Sequence, residues 1–123
     1  MDLKQRVLAT REAFRKPVEF KPSEWDFPVY IRRLSGGERW GFEASMVKTH
    51  INGNIVPDPK KLGEKQVRFV ALTLANEDGS RVFSDADLEE VKTLGSRALD
   101  ELYDFAEKLN ATDEEAVEEA KKN

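Results

Sequence analysis

The feature that most constrains this chain is the stretch 67–110. There an apolar run, Val-Arg-Phe-Val-Ala-Leu-Thr-Leu-Ala, meets Asn-Glu-Asp-Gly-Ser, returns through Arg-Val-Phe and enters a capped helical pattern. Residues 67–75 are rich in Val, Phe, Thr and Leu and lie between polar clusters, which favours a largely buried strand. A helix over 65–76 is the competing reading, because Ala and Leu tolerate either state. The Asp78-Gly79 pair suits a turn that needs positive φ, so residues 81–83 are expected to return as a hairpin partner.

Ser84 precedes three early carboxylates, Asp85, Asp87 and Glu89, a combination that favours a helix start. Gly95 fits a helix stop and Ser96 a new cap. Beyond it Ala98, Leu102, Phe105 and Leu109 recur at helical spacing, widened by Leu99 and Ala106, with Asp100, Glu101, Asp104 and Glu107 opposite. Asn110 ends this helix. Thr112 with Glu115 is a capping-box pattern for a short terminal helix.

An acidic turn with glycine invites a calcium reading, and the register rejects it. A loop starting at Asn76 puts Arg81 where an EF-hand needs glycine, and Asp87 where it needs a bidentate Glu. No metal site is expected. With no cysteine in the chain, disulfides and thiolate metal sites are excluded.

The length, 123 residues, fits a single domain spanning 1–123. Charged residues make up 36% and apolar ones 39%, which describes a highly charged globule with enough Leu, Val and Phe to avoid wholesale disorder. No apolar run approaches the ~18 residues of a membrane span, and no signal peptide is visible, so no membrane partner and a cytoplasmic address are expected. The net charge of −4 and scattered Lys and Arg argue against nucleic acid.

Along the chain, residues 1–16 read as a helix or a mobile arm. Leu3, Val7 and Phe14 form a thin apolar stripe that suits docking on the domain better than a membrane surface. Residues 17–34 are extended in character, with a strand expected near 27–34 and Pro28 at its start. Arg32 and Arg33 point to opposite faces, so a solvated or salt-bridged role is preferred to anion binding. Ser35 with Glu38 is a capping box, not a phosphate loop, and it opens a helix with Trp40, Ala44, Val47 and Ile51 as its core stripe. Residues 52–66 hold Gly, Pro and Lys in loop proportions and read as a long, mobile connection, as does the segment 112–123. The fold class is therefore α+β: a small antiparallel sheet, with strands near 27–34, 67–75 and 81–83, packed against three to four helices.

No catalytic constellation emerges. His50 is the sole histidine and has no motif neighbour. The carboxylates lie on helix faces expected to be solvated, so a non-enzymatic protein without a cofactor is expected.

Several motifs, in order, resemble those of the tail assembly chaperones of long-tailed (siphovirus, lambda-like) bacteriophages. They are Val29-Tyr30-Ile31-Arg32-Arg33-Leu34-Ser35-Gly36 with Glu38, then Val70-Ala71-Leu72-Thr73-Leu74, Glu77-Asp78-Gly79, Val82-Phe83-Ser84-Asp85 and Ala98-Leu99-Asp100-Glu101-Leu102, with Leu109-Asn110 closing the helix. The resemblance spans residues 18–123, with 52–66 its poorest part. It implies a protein that binds the tape measure protein and keeps it soluble while tail tube subunits assemble around it. It further implies host-cell cytoplasm rather than the mature virion, curved or spiral oligomers, and a longer form, made by ribosomal frameshifting, that recruits tail tube protein. An acidic regulatory or adaptor domain with one globular partner is the alternative. Under the chaperone reading the candidate partner-binding residues are Trp25, Phe27, Leu99 and Tyr103. Trp25 and Tyr103 are the better pair, since each joins a large apolar body to a polar handle. Leu102 and Phe105 suit the core.

Charge is divided unevenly. Residues 1–75 hold 14 Lys and Arg against 9 Asp and Glu, a balance of +5, and residues 76–123 hold 6 against 15, a balance of −9. Head-to-tail association between copies should follow and should weaken with salt. Light scattering at low and high salt checks this; a chain that stays monomeric at high concentration and low salt contradicts it.

Overall fold

In the computed structural model, residues 2–49 and 52–111 are described. Their elements are α1 (Leu3–Ala9), α2 (Arg11–Arg15), β1 (Val18–Phe20), β2 (Val29–Ile31), α3 (Gly36–Ser45), β3 (Val47–Thr49), β4 (Ile55–Pro57), α4 (Pro59–Gly63), α5 (Lys65–Thr73), β5 (Leu74–Ala75), a 3-10 turn (Asp85–Asp87), α6 (Leu88–Val91) and α7 (Ser96–Leu109). One antiparallel sheet runs β1-β2-β5, with Glu19 opposite Tyr30 and Ile31 opposite Leu74. A separate hairpin pairs β3 with β4. The class is α+β, as the residue pattern indicates. His50, Ile51 and the segment 112–123, with its predicted capping box, lie outside the described residues.

The largest departure falls on 67–75. Only Leu74–Ala75 is strand, and Lys65–Thr73 is helix. The helix α5 is central: Phe69, Val70, Ala71 and Thr73 are buried on it, and Val67, Arg68 and Leu72 are half-buried. A helix covered on most of its sides shows no apolar/polar period, so its sequence looks like a buried strand. Only Ala75 and Arg81 form an isolated bridge where residues 81–83 were expected to pair. The turn itself behaves as predicted. Gly79 has φ +89°, the Asn76 amide donates to Ser80 O at 2.8 Å, and Asp78 accepts from the Ser80 amide at 2.9 Å.

Helix α7 lies against α5 and carries the predicted stripe. Ala98, Leu99, Leu102 and Ala106 are buried, and Phe105 and Leu109 are partly so. Ile31 of β2 and Val91 of α6 complete the core. Ser96 is the first residue of α7 and Gly95 occupies the cap position, so the expected Ser96 cap is absent. At Ser84 the hydroxyl donates to the Asp87 carboxylate, which also accepts the Ser84 amide at 2.8 Å. Lys92, just after α6, reaches Glu64 at 2.6 Å and Glu89 at 3.0 Å, fastening α6 to the start of α5.

Residues 52–66 hold β4 and α4 rather than a bare connection. Gly53, at φ +87°, turns the hairpin. Asp58 caps α4, accepting from the Lys60 amide at 3.1 Å, and Pro59 supplies the fixed φ at the helix start.

The predicted capping box opens α3: Glu38 N donates to Ser35 Oγ at 3.1 Å, and Ser35 N to Glu38 Oε1 at 3.0 Å. The predicted stripe on this helix is wrong. Trp40 is 73% exposed, Ala44 is exposed, and Val47 lies in β3. Glu38 turns inward to pair with Arg32, so Phe42, one turn on, and then Ser45 and Met46 form the inner face. Trp40, two residues past Glu38, is carried about 200° round the helix and must face out.

Two polar side chains tie β2 to both central helices. Arg32 donates from Nη1 to Leu72 O at 2.8 Å, near the C-terminal end of α5, while its Nη2 pairs with Glu38. That is the salt-bridged role expected of it; Arg33 is exposed. Asn110 is buried just beyond α7. Its Oδ1 accepts the Leu34 amide at 2.7 Å, and its Nδ2 donates to Arg32 O at 3.1 Å and Ala106 O at 2.9 Å.

Replacing Asn110 with Ala strands the Leu34 amide and the Arg32 carbonyl, so Asn110→Ala should cost about 2 kcal/mol. Urea unfolding measures it, and amide exchange at Leu34 should accelerate; an unchanged midpoint would contradict the staple. A second expectation concerns acid. Burial pushes the Glu38 carboxyl up, but the Ser35 amide, the Arg32 hydrogen bond and charge, and the Ser35 hydroxyl together hold it below its ordinary value. A carboxyl depressed in the folded state stabilises above its unfolded pKa, and that contribution is lost as pH falls through the folded value. Urea midpoints followed from neutral pH into acid should therefore decline less steeply in Glu38→Gln than in the parent; parallel curves would contradict the pairing.

Candidate interaction site

The link between β1 and β2 presents aromatic surface. Pro22 is buried, and the Trp25 amide closes a turn onto Pro22 O at 3.1 Å. The Ser23 amide and hydroxyl both donate to Glu101 of α7, the amide at 2.9 Å, which fixes the link to the outer side of that helix. The hydrogen bonds from the Ser23 hydroxyl and amide hold the Glu101 carboxyl below its ordinary value. Held this way, Trp25 and Phe27 stack with ring centroids 5.3 Å apart and planes 19° from parallel. Trp25 packs partly against the core, and Phe27 stays 52% exposed. A stacked pair with one open face supplies rigid apolar contact area at low entropic cost.

The other two candidates go elsewhere. Leu99 is 7% exposed and belongs to the core, because its position on α7 faces the central packing. Tyr103 is half-buried and sits edge-on to Phe69 at 5.9 Å, which in turn meets Phe42 at 5.1 Å. Burial first, then its hydrogen bond to Glu107 and the charges of Glu107 and Asp104, push the Tyr103 hydroxyl up to about 12. It is thus a neutral donor throughout the physiological range. The structure brings Trp25 and Phe27 together and separates them in role from Leu99 and Tyr103.

Apolar surface also lies where the residue pattern does not place it. Trp40, Ile55, Leu62 and Val47 are exposed on α3, α4 and the β3-β4 hairpin. Between α3, α4, α5 and the end of α7 runs a groove of about 260 Å³, with Phe42, Met46, Leu62 and Phe69 as its apolar lining and Arg39, Glu43, Lys65 and Glu107 around them. The inward turn of Glu38 at the capping box was the available clue that Trp40 faces out. On α1, Leu3 and Val7 stay exposed, so the expected docking of that stripe does not occur; Phe14 is half-buried.

The widest cleft, about 740 Å³, has Arg11, Arg15, Arg32 and Arg33 among its walls, with Phe14, Gly36 and Gly79. Arg32 is engaged with Glu38 and Leu72 O, and Arg15 lies 3.6 Å from Glu12. Among the described residues no group of three or more His, Cys, Asp or Glu is placed to hold a metal ion, and no helix is long and apolar enough to cross a membrane. What the arrangement offers is contact: shallow apolar patches edged by charge.

Comparison with known proteins agrees with that reading. No curated protein and no solved structure matches the chain. A model of the phage tail assembly chaperone family matches residues 2–123, essentially its whole length, and the chain therefore belongs to the phage tail assembly chaperone family.

Proposed function

We propose that this protein binds the tape measure protein of its phage, without catalysing a reaction, and keeps that apolar-rich client soluble while tail tube subunits assemble around it. The observation that carries the reading is the Trp25–Phe27 stack, fastened to α7 through Ser23 and Glu101 with Phe27 open to solvent. A long apolar client calls for several shallow contacts rather than one deep pocket, and apolar stripes in shallow grooves are a common way to hold helical segments. Trp40 and the Leu62 groove add further contacts of that kind. Tyr103 contributes through the ladder to Phe69 that shapes the groove's floor. The uneven charge supports self-association into curved or spiral oligomers. A frameshift-extended form would recruit tail tube protein, and the work would be done in the host cytoplasm, with the chaperone absent from the mature virion.

Co-expression with the tape measure protein tests this. The parent should hold the client in the soluble fraction and co-purify with it. Phe27→Ser, at an exposed ring, should leave the melting temperature nearly unchanged and reduce recovered client by about fivefold, the loss expected when ~1 kcal/mol of contact is removed. Trp40→Ser tests the second patch in the same way. Folded variants that both retain the client fully would place the surface elsewhere. A parent that leaves the client insoluble would favour an adaptor with one globular partner.

A further inference from the structure

Gly41 lies in the interior of α3, where glycine is among the least favourable residues. Its φ is not positive, and a Cβ placed there would meet nothing within 4 Å, so no neighbour in the fold demands a glycine. What it does is leave open the mouth of a pocket of about 290 Å³, walled also by Phe42, Ser45, Arg68 and Leu88. Two carboxylates line this pocket, and each is already paired: Glu38 with Arg32, and Asp85 with Arg81 at 3.0 Å. Arg68 is left over. Its Nη2 reaches Ser45 Oγ only at 3.4 Å, and that hydroxyl is itself committed to Phe42 O at 2.6 Å. Its Nε is buried and finds no acceptor among the described residues. Glu64, one turn earlier on the chain, senses the Arg68 charge but is bonded to Lys92 at 2.6 Å.

A buried guanidinium N–H without an acceptor is costly, and a carboxylate lying across Nε and Nη2 is the partner that satisfies both donors in one plane. We propose that this pocket is a socket for a glutamate side chain of a partner protein, its oxygens accepting from Arg68 Nε and Nη2 while its apolar neighbours cover Phe42 and Leu88. The volume falls short of the ~300–1,000 Å³ of small-molecule sites and suits one side chain. The glycine at the mouth lets a partner's main chain come close, a use for which glycine is suited. The socket goes beyond the proposed chaperone role and does not depend on which client is bound.

The test follows the Arg68 Nε–Hε signal by NMR in the full chain with isotope-labelled arginine, the signal being assigned by its loss in Arg68→Lys. Three probes are titrated at constant ionic strength: the peptide acetyl-Ala-Leu-Glu-Leu-Ala-amide, its Gln counterpart, and sodium acetate. The Glu peptide should shift the signal saturably and bind about tenfold tighter than acetate, because its flanking leucines are buried as well. The Gln peptide should leave the signal in place. Gly41→Leu, which lays a side chain over the mouth, should melt no lower than the parent and lose the response. Equal responses to the Glu and Gln peptides, or no response to any probe, would overturn the socket. Acetate binding as tightly as the peptide would make it a site for free small carboxylates and overturn the protein partner. A response that survives in Gly41→Leu, or a much lower melting point for that variant, would overturn the role given to the glycine. None of these outcomes bears on tape measure binding, so the two proposals fail separately.

Discussion

The packing of α5 against α7 is the interaction on which the rest of this protein depends. Val70 and Ala71 from one helix, and Leu99, Leu102 and Ala106 from the other, are almost wholly removed from water. Fully burying a side chain of Val or Leu size stabilises by about 1.5–3 kcal/mol, so this seam outweighs any single polar contact at the surface. The small Ala residues let the helix surfaces approach closely. The three-stranded sheet then closes one side through Ile31, and α6 another through Val91.

Polar groups give that core one arrangement. Asn110 joins the end of α7 to the exit of β2, and Arg32 joins the same exit to α5 and α3. Each uses several hydrogen-bonding groups in places where an unmade bond would be costly. Both act on residues 32–34, so one short segment between β2 and α3 sets the relation of sheet, central helix pair and α3. The direction of α3 decides in turn that Phe42 faces in and Trp40 faces out.

The surface of this tail assembly chaperone follows from how little core so small a domain can enclose. Once α5 and α7 have taken their apolar residues, the Trp25–Phe27 stack, Trp40, Ile55 and Leu62 have nowhere to be buried. Exposed aromatic and aliphatic groups on a highly charged protein are unusual enough to suggest partners. The same geometry leaves Arg68 as a partly buried cation whose Nε has no acceptor among the described residues, while its neighbours Arg32 and Arg81 are engaged.

Local chemistry read from the residues alone was reliable where the decision is local. The Ser35–Glu38 capping box, the positive-φ turn at Gly79, the stripe on α7 and the salt-bridged Arg32 depend on neighbours a few residues apart. The ordered motifs that resembled the tail assembly chaperones also lie on the chain itself, and the family follows from them. The state of 67–75 was decided elsewhere. A run apolar on nearly every side fits a buried helix or a buried strand equally, and α7 lying alongside it settles the choice in favour of helix. The inward pairing of Glu38 with Arg32, which turns Trp40 outward, and the burial of Leu99 are likewise properties of the packed molecule. Periodicity reports that a helix has an apolar face; only the elements that meet it decide which apolar residues are covered and which remain available to a partner.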